Sequence, residues 1–278
     1  MNLEVLISTI NISSQNENEE LVKNMNITGK SLTISQCGKN GDVKGKNRII
    51  YDNKKGLSRS RNMAIENAAG DIILIADDDV KYVKDYEKII LESYRENPEA
   101  DMIAFFVESK NNNRKVRKLK SGKIGWIRIF RVCSFQLTFK RASIIKNNLK
   151  FDEDFGAGTQ NYCGEETIFL SDCLRMNMKL TYVDKKIGEV EQKESTWYKG
   201  FSREYMNVEK ECFKRIAPKM WPFLWIQFLI RKAIPNKIKR AKIIGFWYWF
   251  LSELIITLNY SWFCANEHLN YIWFCDIP

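Results

Sequence analysis

The run Asp77-Asp78-Asp79 is the strongest sign of chemistry in the sequence. It directly follows Ile72–Ala76, an apolar stretch typical of a buried strand. Strand interiors disfavour aspartate, and adjacent carboxylates repel one another unless a cation lies between them. Because Mg²⁺ usually keeps only one or two protein carboxylates, Asp77 and Asp79 would together hold one divalent ion that bridges a diphosphate. The alternative is a solvated turn whose acids cap the next helix.

The segments around this triplet alternate between strand-like and helix-like patterns. The predicted strands are 3–10, 31–35, 48–51, 71–76, 102–107 and 180–183. The predicted helices are 19–25, 57–69, 85–95 and 165–178. This alternation indicates an α/β fold with a mostly parallel sheet and covering helices. In such sheets ligands collect outside the carboxyl ends of the strands, where the triplet lies.

Several local signals refine this outline. Ser58 is predicted to cap the second helix and Gly70 to end it. Lys110–Lys123 contains seven basic residues and no acid, so we expect an exposed loop, with contact to a lipid diphosphate acceptor as its functional alternative. Trp126–Arg141 is predicted to be strand, and Asp152–Gly164 to be irregular and rich in glycine.

Composition narrows the class of protein and of metal site. The 278 residues are 45% hydrophobic and 28% charged, which predicts a packed core. The net charge of +10 favours an anionic partner: nucleic acid, an acidic membrane or a phosphorylated substrate. Seven cysteines without a CxxC pair or a leader pattern favour reduced thiols in the cytoplasm. Because His268 is the only histidine, we expect carboxylate-bound Mn²⁺ or Mg²⁺ instead of zinc.

The last third of the chain differs in character. Nine Lys or Arg residues and no acid lie between Cys212 and Ser252, and six of eight tryptophans lie between Trp221 and Trp273. The apolar run Ile243–Leu258 is shorter than the roughly 20 residues of a spanning helix. We therefore predict two domains, 1–205 and 206–278, the second being a helical, basic and aromatic extension on an anionic membrane surface. A packed helical subdomain and a tilted span are the alternatives.

The ordered motifs resemble family 2 glycosyltransferases, which are inverting enzymes of the Rossmann-like GT-A fold. That family has a GLxxxRN-type helix followed by a hydrophobic strand that ends in a DxD motif. Here these are Gly56-Leu57-Ser58-Arg59-Ser60-Arg61-Asn62 and then Gly70-Asp71-Ile72-Ile73-Leu74-Ile75-Ala76-Asp77-Asp78-Asp79. The opening Ile7-Ser8-Thr9-Ile10-Asn11 is similar to the family's first strand and nucleotide loop, and the similarity extends over residues 3 to 200.

The resemblance implies a nucleotide-sugar site with a metal. Asp79, together with Asp77, would bind Mn²⁺ or Mg²⁺, which stabilises the departing nucleoside diphosphate without a proton. Asp77 would otherwise contact the ribose or the water shell of the metal, and Arg61 would reach the diphosphate. The nucleotide-sugar-binding residues that the resemblance implies are Thr9, Asn11, Gln36, Arg61, Asp77 and Asp78.

The resemblance also implies a catalytic base at a second acidic pair. Glu166 aligns with the family's base, which removes the proton of the acceptor hydroxyl, and Glu165 is the fallback. The alternative is that both acids only stabilise the first turn of a helix through its dipole. The chain departs from the family in two places. Gln36 follows the second strand where many members have a base-reading acid, so that Asp42 or a backbone group would substitute. The family's late histidine is absent from residues 191–196, where Glu191, Gln192 or water would substitute.

Three functions follow for comparison. The first is a metal-dependent hexosyltransferase-type enzyme that moves a sugar from a UDP-linked donor to a lipid-linked or polysaccharide acceptor, at the inner face of the cell membrane, in bacterial surface-polysaccharide biosynthesis. The second is a nucleotidyltransferase, although residues 8–20 lack the glycine and lysine of its usual loop. The third is a non-catalytic membrane-surface adaptor. A nucleic-acid partner is not expected because no RNA- or DNA-binding motif accompanies the positive charge. The sequence contains no pattern that indicates the oligomeric state.

Overall fold

The computed structural model describes residues 1–111, 115–191 and 202–233, and the chain divides into two compact units, Met1–Trp197 and Tyr198–Pro278. Within its described residues the first unit forms one ten-stranded sheet. The strands are β1 (Leu3–Thr9), β2 (Lys30–Ser35), β3 (Gly41–Val43), β4 (Asn47–Tyr51), β5 (Ile72–Asp77), β6 (Val80–Tyr82), β7 (Met102–Ser109), β8 (Gly122–Lys123), β9 (Leu137–Lys140) and β10 (Leu180–Val190). The helices are α1 (Gln15–Asn24), α2 (Leu57–Asn67), α3 (Tyr86–Glu96), α4 (Arg141–Lys146) and α5 (Glu165–Arg175).

The sheet has the order β3-β4-β2-β1-β5-β9-β7-β10-β6, with β8 paired to β10. Strands β4, β2, β1 and β5 are parallel neighbours, as are β7 and β10. Strand β9 is inserted between β5 and β7 and runs antiparallel to both. The predicted α/β architecture with covering helices is confirmed, and the antiparallel strands lie in the middle and at the edges of the sheet.

Both faces of the sheet are covered, which explains the uninterrupted apolar sequence of β5. Its residues Ile72–Ala76 are all 1% exposed or less. Ile73 and Ile75 belong to one core cluster, while Ile72, Leu74 and Ala76 belong to another, so alternate side chains enter opposite faces. The first charged residue, Asp77, therefore appears where the strand leaves the core.

Two predicted helix signals are wrong. Helix α2 begins at Leu57 with Gly56 at its N-cap, and the Ser58 hydroxyl donates to the carbonyl of Phe155 at 2.6 Å instead of capping the helix. The helix ends at Asn67, before Gly70. Gly70 instead packs directly against Glu4 of β1. A Cβ added at Gly70 would stand only 2.7 Å from the Cβ of Glu4, so this position has no room for a side chain.

The prediction of strand over Trp126–Arg141 is wrong for most of its length. Two 3-10 turns, Ile129–Arg131 and Ser134–Gln136, occupy the region, and only Leu137–Lys140 is strand. The region has the apolar content of a strand, but Ile129 and Val132, like Ile124 just before them, fill one core cluster from backbone outside the strands.

The second unit contains α6 (Arg203–Ile216) and α7 (Trp221–Phe228), followed by a π-type turn at Leu229–Ala233. Trp221, Trp225 and Leu229 are buried in a cluster with residues of α6. Trp221 and Trp225 are thus core residues of this unit. Ile243–Leu258 lies outside the described residues. No helix in the described ranges is both long and apolar enough to cross a membrane.

Candidate active site

The acidic triplet lies at the carboxyl edge of the parallel strands. Asp77 is the last residue of β5 and pairs in register with Ser8 of β1. Asp78 and Asp79 form the turn into β6, where Asp78 is exposed and Asp79 is half-buried. The Thr9 hydroxyl donates to Oδ2 of Asp78 at 2.6 Å, so the ends of β1 and β5 are joined through side chains. The triplet therefore occupies the position where open α/β sheets bind ligands.

Arg61 connects the triplet to the second acidic pair. It is 1% exposed on α2, and its Nη2 donates to Oδ1 of Asp77 at 3.0 Å while its Nη1 donates to Oε1 of Glu165 at 2.9 Å. Burial lowers the pKa of Arg61, but the charges of Asp77 and Glu165 outweigh burial and the pKa is raised overall. A buried guanidinium is tolerated only when it is paired in this way. Arg61 is thus an internal link between two acidic segments.

The second acidic pair forms the first turn of α5. Glu165 is buried and Glu166 is half-buried, and Gly164 precedes them in the left-handed conformation with a φ of 94°. Burial and the neighbouring charge of Glu165 raise the pKa of Glu166 to about 8. A carboxyl group whose pKa lies near the working pH is suited to general base chemistry.

A glycine-containing loop closes the site between α2 and α5. The amide of Leu57 donates to the carbonyl of Ala157 at 2.9 Å, which fixes the loop on the start of α2. Gly156 has a φ of 106°, and an added Cβ would lie 3.1 Å from Oγ of Ser58 and 3.4 Å from Cγ of Glu165. The absence of a side chain at Gly156 lets the loop approach both residues.

Gln36 has a different environment from the one that the sequence suggested. It is 4% exposed, its Nε2 donates to the carbonyl of Gly56 at 3.0 Å, and its Oε1 accepts from the amide of Gly56 at 3.0 Å. Both ends of the amide side chain are therefore used to position the start of α2. Asn11 and Asp42 are exposed.

Two residues near the site were not identified from the sequence. Asp52, directly after β4, is 3% exposed and accepts from Nε of Arg59 at 2.8 Å. Burial raises the pKa of Asp52, but the hydrogen bond and charge of Arg59, together with the bond from the amide of Lys54, lower the pKa overall. Ser134 lies 3.5 Å from Oδ2 of Asp77. An acid that follows a predicted strand would have indicated Asp52, whereas Ser134 carries no sequence signal.

The carboxylates at the triplet are compatible with a divalent ion that takes its other ligands from substrate. No cluster of three or more His, Cys, Asp or Glu side chains suited to a metal occurs within residues 1–111, 115–191 and 202–233. Asp77 and Asp79 are two carboxylates on one turn, which is the number that Mg²⁺ commonly keeps when phosphate oxygens and water complete its shell. Of the two suggested further ligands, Glu191 is exposed and Gln192 lies outside the described residues.

Comparisons with known proteins agree with this arrangement. Residues 30–161 match the model of the family described as "Glycosyl transferase family 2", which includes α2, the triplet and Gly156 but ends before Glu165. No curated protein matches the chain.

The fold is similar to that of S. aureus TarS. The crystal structure of its residues 1–349 in complex with UDP-GlcNAc gives a TM-score of 0.63 at 15% identity, covering 93% of this chain and 80% of that one. The complex with UDP gives a TM-score of 0.60 at 14% identity, covering 92% and 81%. A longer TarS chain gives 0.56 at 16% identity, covering 77% of this chain and 39% of that one. At such identities the likeness shows the fold.

Proposed function

Because the chain is a family 2 glycosyltransferase with the GT-A fold, we propose that it transfers a sugar, with inversion, from a UDP-linked donor to a hydroxyl group of a lipid-linked or polysaccharide acceptor. One observation carries this proposal. The acidic turn at the donor edge of the sheet and the acidic start of α5 are joined through the single guanidinium of Arg61. The carboxylates that would bind the donor's metal and the carboxylates that would activate the acceptor hydroxyl are therefore adjacent. The TarS complexes with UDP-GlcNAc and UDP support uridine as the donor base.

On the donor side, Asp79 and Asp77 would hold Mn²⁺ or Mg²⁺. Such an ion neutralises charge that develops on the departing diphosphate. We assign Asp79 as the principal ligand, as the DxD motif of the family implies, and Oδ1 of Asp77 also accepts from Arg61. Thr9 positions Asp78 beside the metal site, at the end of β1.

We assign Arg61 to positioning and not to direct diphosphate binding. Its Nη1 and Nη2 both donate to carboxylates, and its buried Nε has no hydrogen-bond partner in the described part of the chain. The guanidinium holds Asp77 toward the donor edge and Glu165 against α2. Because Glu165 is bound to Arg61, Glu166 is the member of the acidic pair that is available for proton transfer.

On the acceptor side, Glu166 would act as the base. The acceptor oxygen attacks the anomeric carbon, its proton moves to the carboxylate of Glu166, and the bond between that carbon and the diphosphate oxygen breaks with its electron pair leaving on the nucleotide. Oε1 of Glu165 already accepts from Arg61, so Glu165 is the weaker candidate. A positioned base of this kind typically contributes about 10²–10⁴-fold to the rate.

The site of action is proposed to be the cytoplasmic face of the membrane, since the acceptor is proposed to be lipid-linked. The net charge of +10 supports attraction to an anionic surface. The family match favours a transferase over the nucleotidyltransferase and the adaptor.

The donor assignment is tested by calorimetry on the full chain. We expect UDP and a subset of UDP-sugars to bind in the presence of Mn²⁺, and ADP- and GDP-linked sugars to bind much more weakly. Equal binding of all three bases would contradict the uridine assignment. Absence of nucleotide-sugar binding with any base would contradict the proposed function as a whole.

A further inference from the structure

Gln36 is anchored at the donor edge of the sheet. It follows β2 directly, and its main-chain amide donates to the carbonyl of Thr9, at the end of β1, at 2.9 Å. Its side chain is 4% exposed, and both of its polar atoms bind the main chain of Gly56 at 3.0 Å. The family resemblance assigned this position to the nucleotide, whereas these bonds connect it to the first turn of α2.

The two hydrogen bonds from this one side chain fix both peptide groups that flank Gly56. Nε2 of Gln36 donates to the carbonyl of Gly56, and Oε1 accepts from its amide. Gly56 is the N-cap of α2, has a φ of 141° and has no side chain that could cap the helix. Because glycine is conformationally permissive, bonds from outside the helix are needed to hold it in one conformation. Gln36 therefore holds residues 56–58, the start of α2.

The start of α2 in turn holds the glycine-containing loop of residues 155–161. The contacts are a hydrogen bond from the Leu57 amide to the Ala157 carbonyl at 2.9 Å, one from the Ser58 hydroxyl to the Phe155 carbonyl at 2.6 Å, and a close approach of Gly158 to Gly56, where an added Cβ would lie 3.4 Å from the Cα of Gly56. Three consecutive residues thus contact one loop. A displacement of residues 56–58 would therefore also displace loop 155–161.

Loop 155–161 packs against the start of α5. A Cβ added at Gly156 would lie 3.4 Å from Cγ of Glu165. Glu166, the proposed base, is the next residue of the same helical turn. A contiguous set of contacts thus extends from the end of β2, through residues 56–58 and the loop, to the acidic pair.

We propose that Gln36 is a positioning residue for the acceptor side of the site. Its side chain fixes residues 56–58, which hold loop 155–161 against the start of α5 and so keep Glu166 in place for proton transfer. This assignment rests on the proposed transfer function, and it replaces contact between Gln36 and the nucleotide base. To bind a base, the side chain would have to release the amide of Gly56, which is buried.

Hydrogen exchange of the full chain tests the proposal without an assay of transfer. Gln36→Met removes both hydrogen bonds to Gly56 and keeps a side chain of similar length. We expect the amides of residues 56–58 and 155–161 to exchange about tenfold faster or more than in the parent chain, because their protection depends on these bonds.

The matched control is Thr138→Val in β9. It also removes two buried side-chain hydrogen bonds, those of Thr138 with Ile103 and Tyr94, but it lies outside the set of contacts that begins at Gln36. It should leave the exchange of loop 155–161 as in the parent chain. Unchanged exchange of the loop in Gln36→Met, or equal acceleration in Thr138→Val, would overturn the proposal.

Calorimetry with UDP and Mn²⁺ separates positioning from base recognition. Gln36→Met and Gln36→Glu should both bind UDP within about twofold of the parent chain. Gln36→Glu introduces the acid that many family members carry, but its carboxylate does not donate to the carbonyl of Gly56, so loop 155–161 should again exchange faster. A change of about tenfold or more in the UDP affinity of either variant would indicate base recognition and contradict the proposal.

Hydrolysis of a UDP-sugar that binds the parent chain, with water as the acceptor, gives the functional readout. In Gln36→Met we expect kcat to fall about tenfold or more and KM for the donor to stay within about twofold, because a displaced base impairs the chemical step. A raised KM with unchanged kcat would reject the positioning role. If the parent chain bound no UDP, the proposed function would fail, while the exchange results would still decide whether Gln36 holds the loop.

Discussion

Arg61 and Glu165 are 104 positions apart in the chain, and their side chains meet in a buried hydrogen bond of 2.9 Å. The other terminal nitrogen of the same guanidinium binds Asp77. The acidic turn that ends β5 and the acidic turn that begins α5 therefore depend on one cation for their position. This relationship determines most of the mutational behaviour that we expect.

Removing the Arg61 cation should destabilise the fold and not only impair activity. Arg61→Met leaves a buried carboxylate without its counter-charge, for which we expect a loss of about 3–5 kcal/mol in the free energy of unfolding. Arg61→Lys should recover part of this loss, since an ammonium group does not reproduce the fork geometry of a guanidinium. Urea denaturation measures both. Lys150→Met, which breaks the exposed pair with Glu66, should cause no measurable change. Equal stability of Arg61→Met and Lys150→Met would contradict the structural role of Arg61.

Glu166→Gln should separate donor binding from transfer. We expect the affinity for the UDP-sugar to be unchanged by calorimetry and kcat to fall about 10²–10⁴-fold, because the amide does not accept the acceptor proton. Glu165→Gln serves as the comparison. It should retain more activity than Glu166→Gln and lose stability through its weakened bond to Arg61. The reverse order of activities would move the base to Glu165.

The raised pKa of Glu166 predicts a pH dependence with a definite sign. As the proposed base, Glu166 acts in its ionised form, so kcat/KM should rise with pH toward a plateau above a pKa of about 8. Stability should change in the opposite direction. The native state retains a proton that the unfolded state loses above its ordinary pKa of 4.5, so this contribution is complete below pH 4.5 and is lost as pH rises to about 8. Glu166→Gln should flatten the stability curve in that interval, as measured by denaturation at several pH values. A curve of unchanged slope would show that Glu166 is not the titrating group.

Asp79 and its neighbour Asp78 allow a matched test of the metal site. Asp79→Asn should weaken Mn²⁺ binding in the presence of UDP, measured by electron paramagnetic resonance, and should abolish stimulation of transfer by Mn²⁺. Asp78→Asn changes the charge by the same amount on an exposed residue that binds Thr9, and should have the smaller effect on Mn²⁺. Equal effects of the two substitutions would indicate a general electrostatic contribution and no specific ligand.

Gly156→Ala should damage the site through the loop that covers it. The methyl group would stand 3.1 Å from Oγ of Ser58, at a φ of 106° that disfavours any side chain. We expect a loss of about 1–3 kcal/mol in the free energy of unfolding and a lower kcat, since Glu165 is the second contact. Gly125→Ala, where nothing lies within 4 Å of the added atom, is the control. If Gly156→Ala matched this control in both measurements, the close approach would have no functional importance.

Local signals were sufficient to predict the strand that ends in Asp77 and the helix that begins at Glu165. The apolar run Ile72–Ala76 is buried on both faces, and acidic residues favour the first turn of a helix. The family resemblance placed Arg61 in the site but not its partners, because sequence spacing does not report which distant carboxylate a buried guanidinium meets. The environment of Gln36 differs from the predicted one for the same reason. Its side chain binds the backbone of Gly56, and the sequence does not indicate which backbone groups a side chain will meet.

Irregular backbone accounts for the larger error in the fold. Residues 126–136 have the apolar content of a strand, but 3-10 turns bury Ile129 and expose Ile127. Gly70 was predicted to end helix α2, but glycine is needed there because Glu4 packs too close for any side chain. In both places long-range packing and not local preference decides the conformation.

The bond between Arg61 and Glu165 also has a consequence for biosynthesis. A ribosome adds about 5–20 residues per second, so the guanidinium emerges many seconds before the carboxylate 104 positions downstream. During that interval the guanidinium has Asp77 as a carboxylate partner but not yet Glu165. The start of α5 is therefore joined to α2 only late in synthesis, after the acidic turn that ends β5 is already available to Arg61.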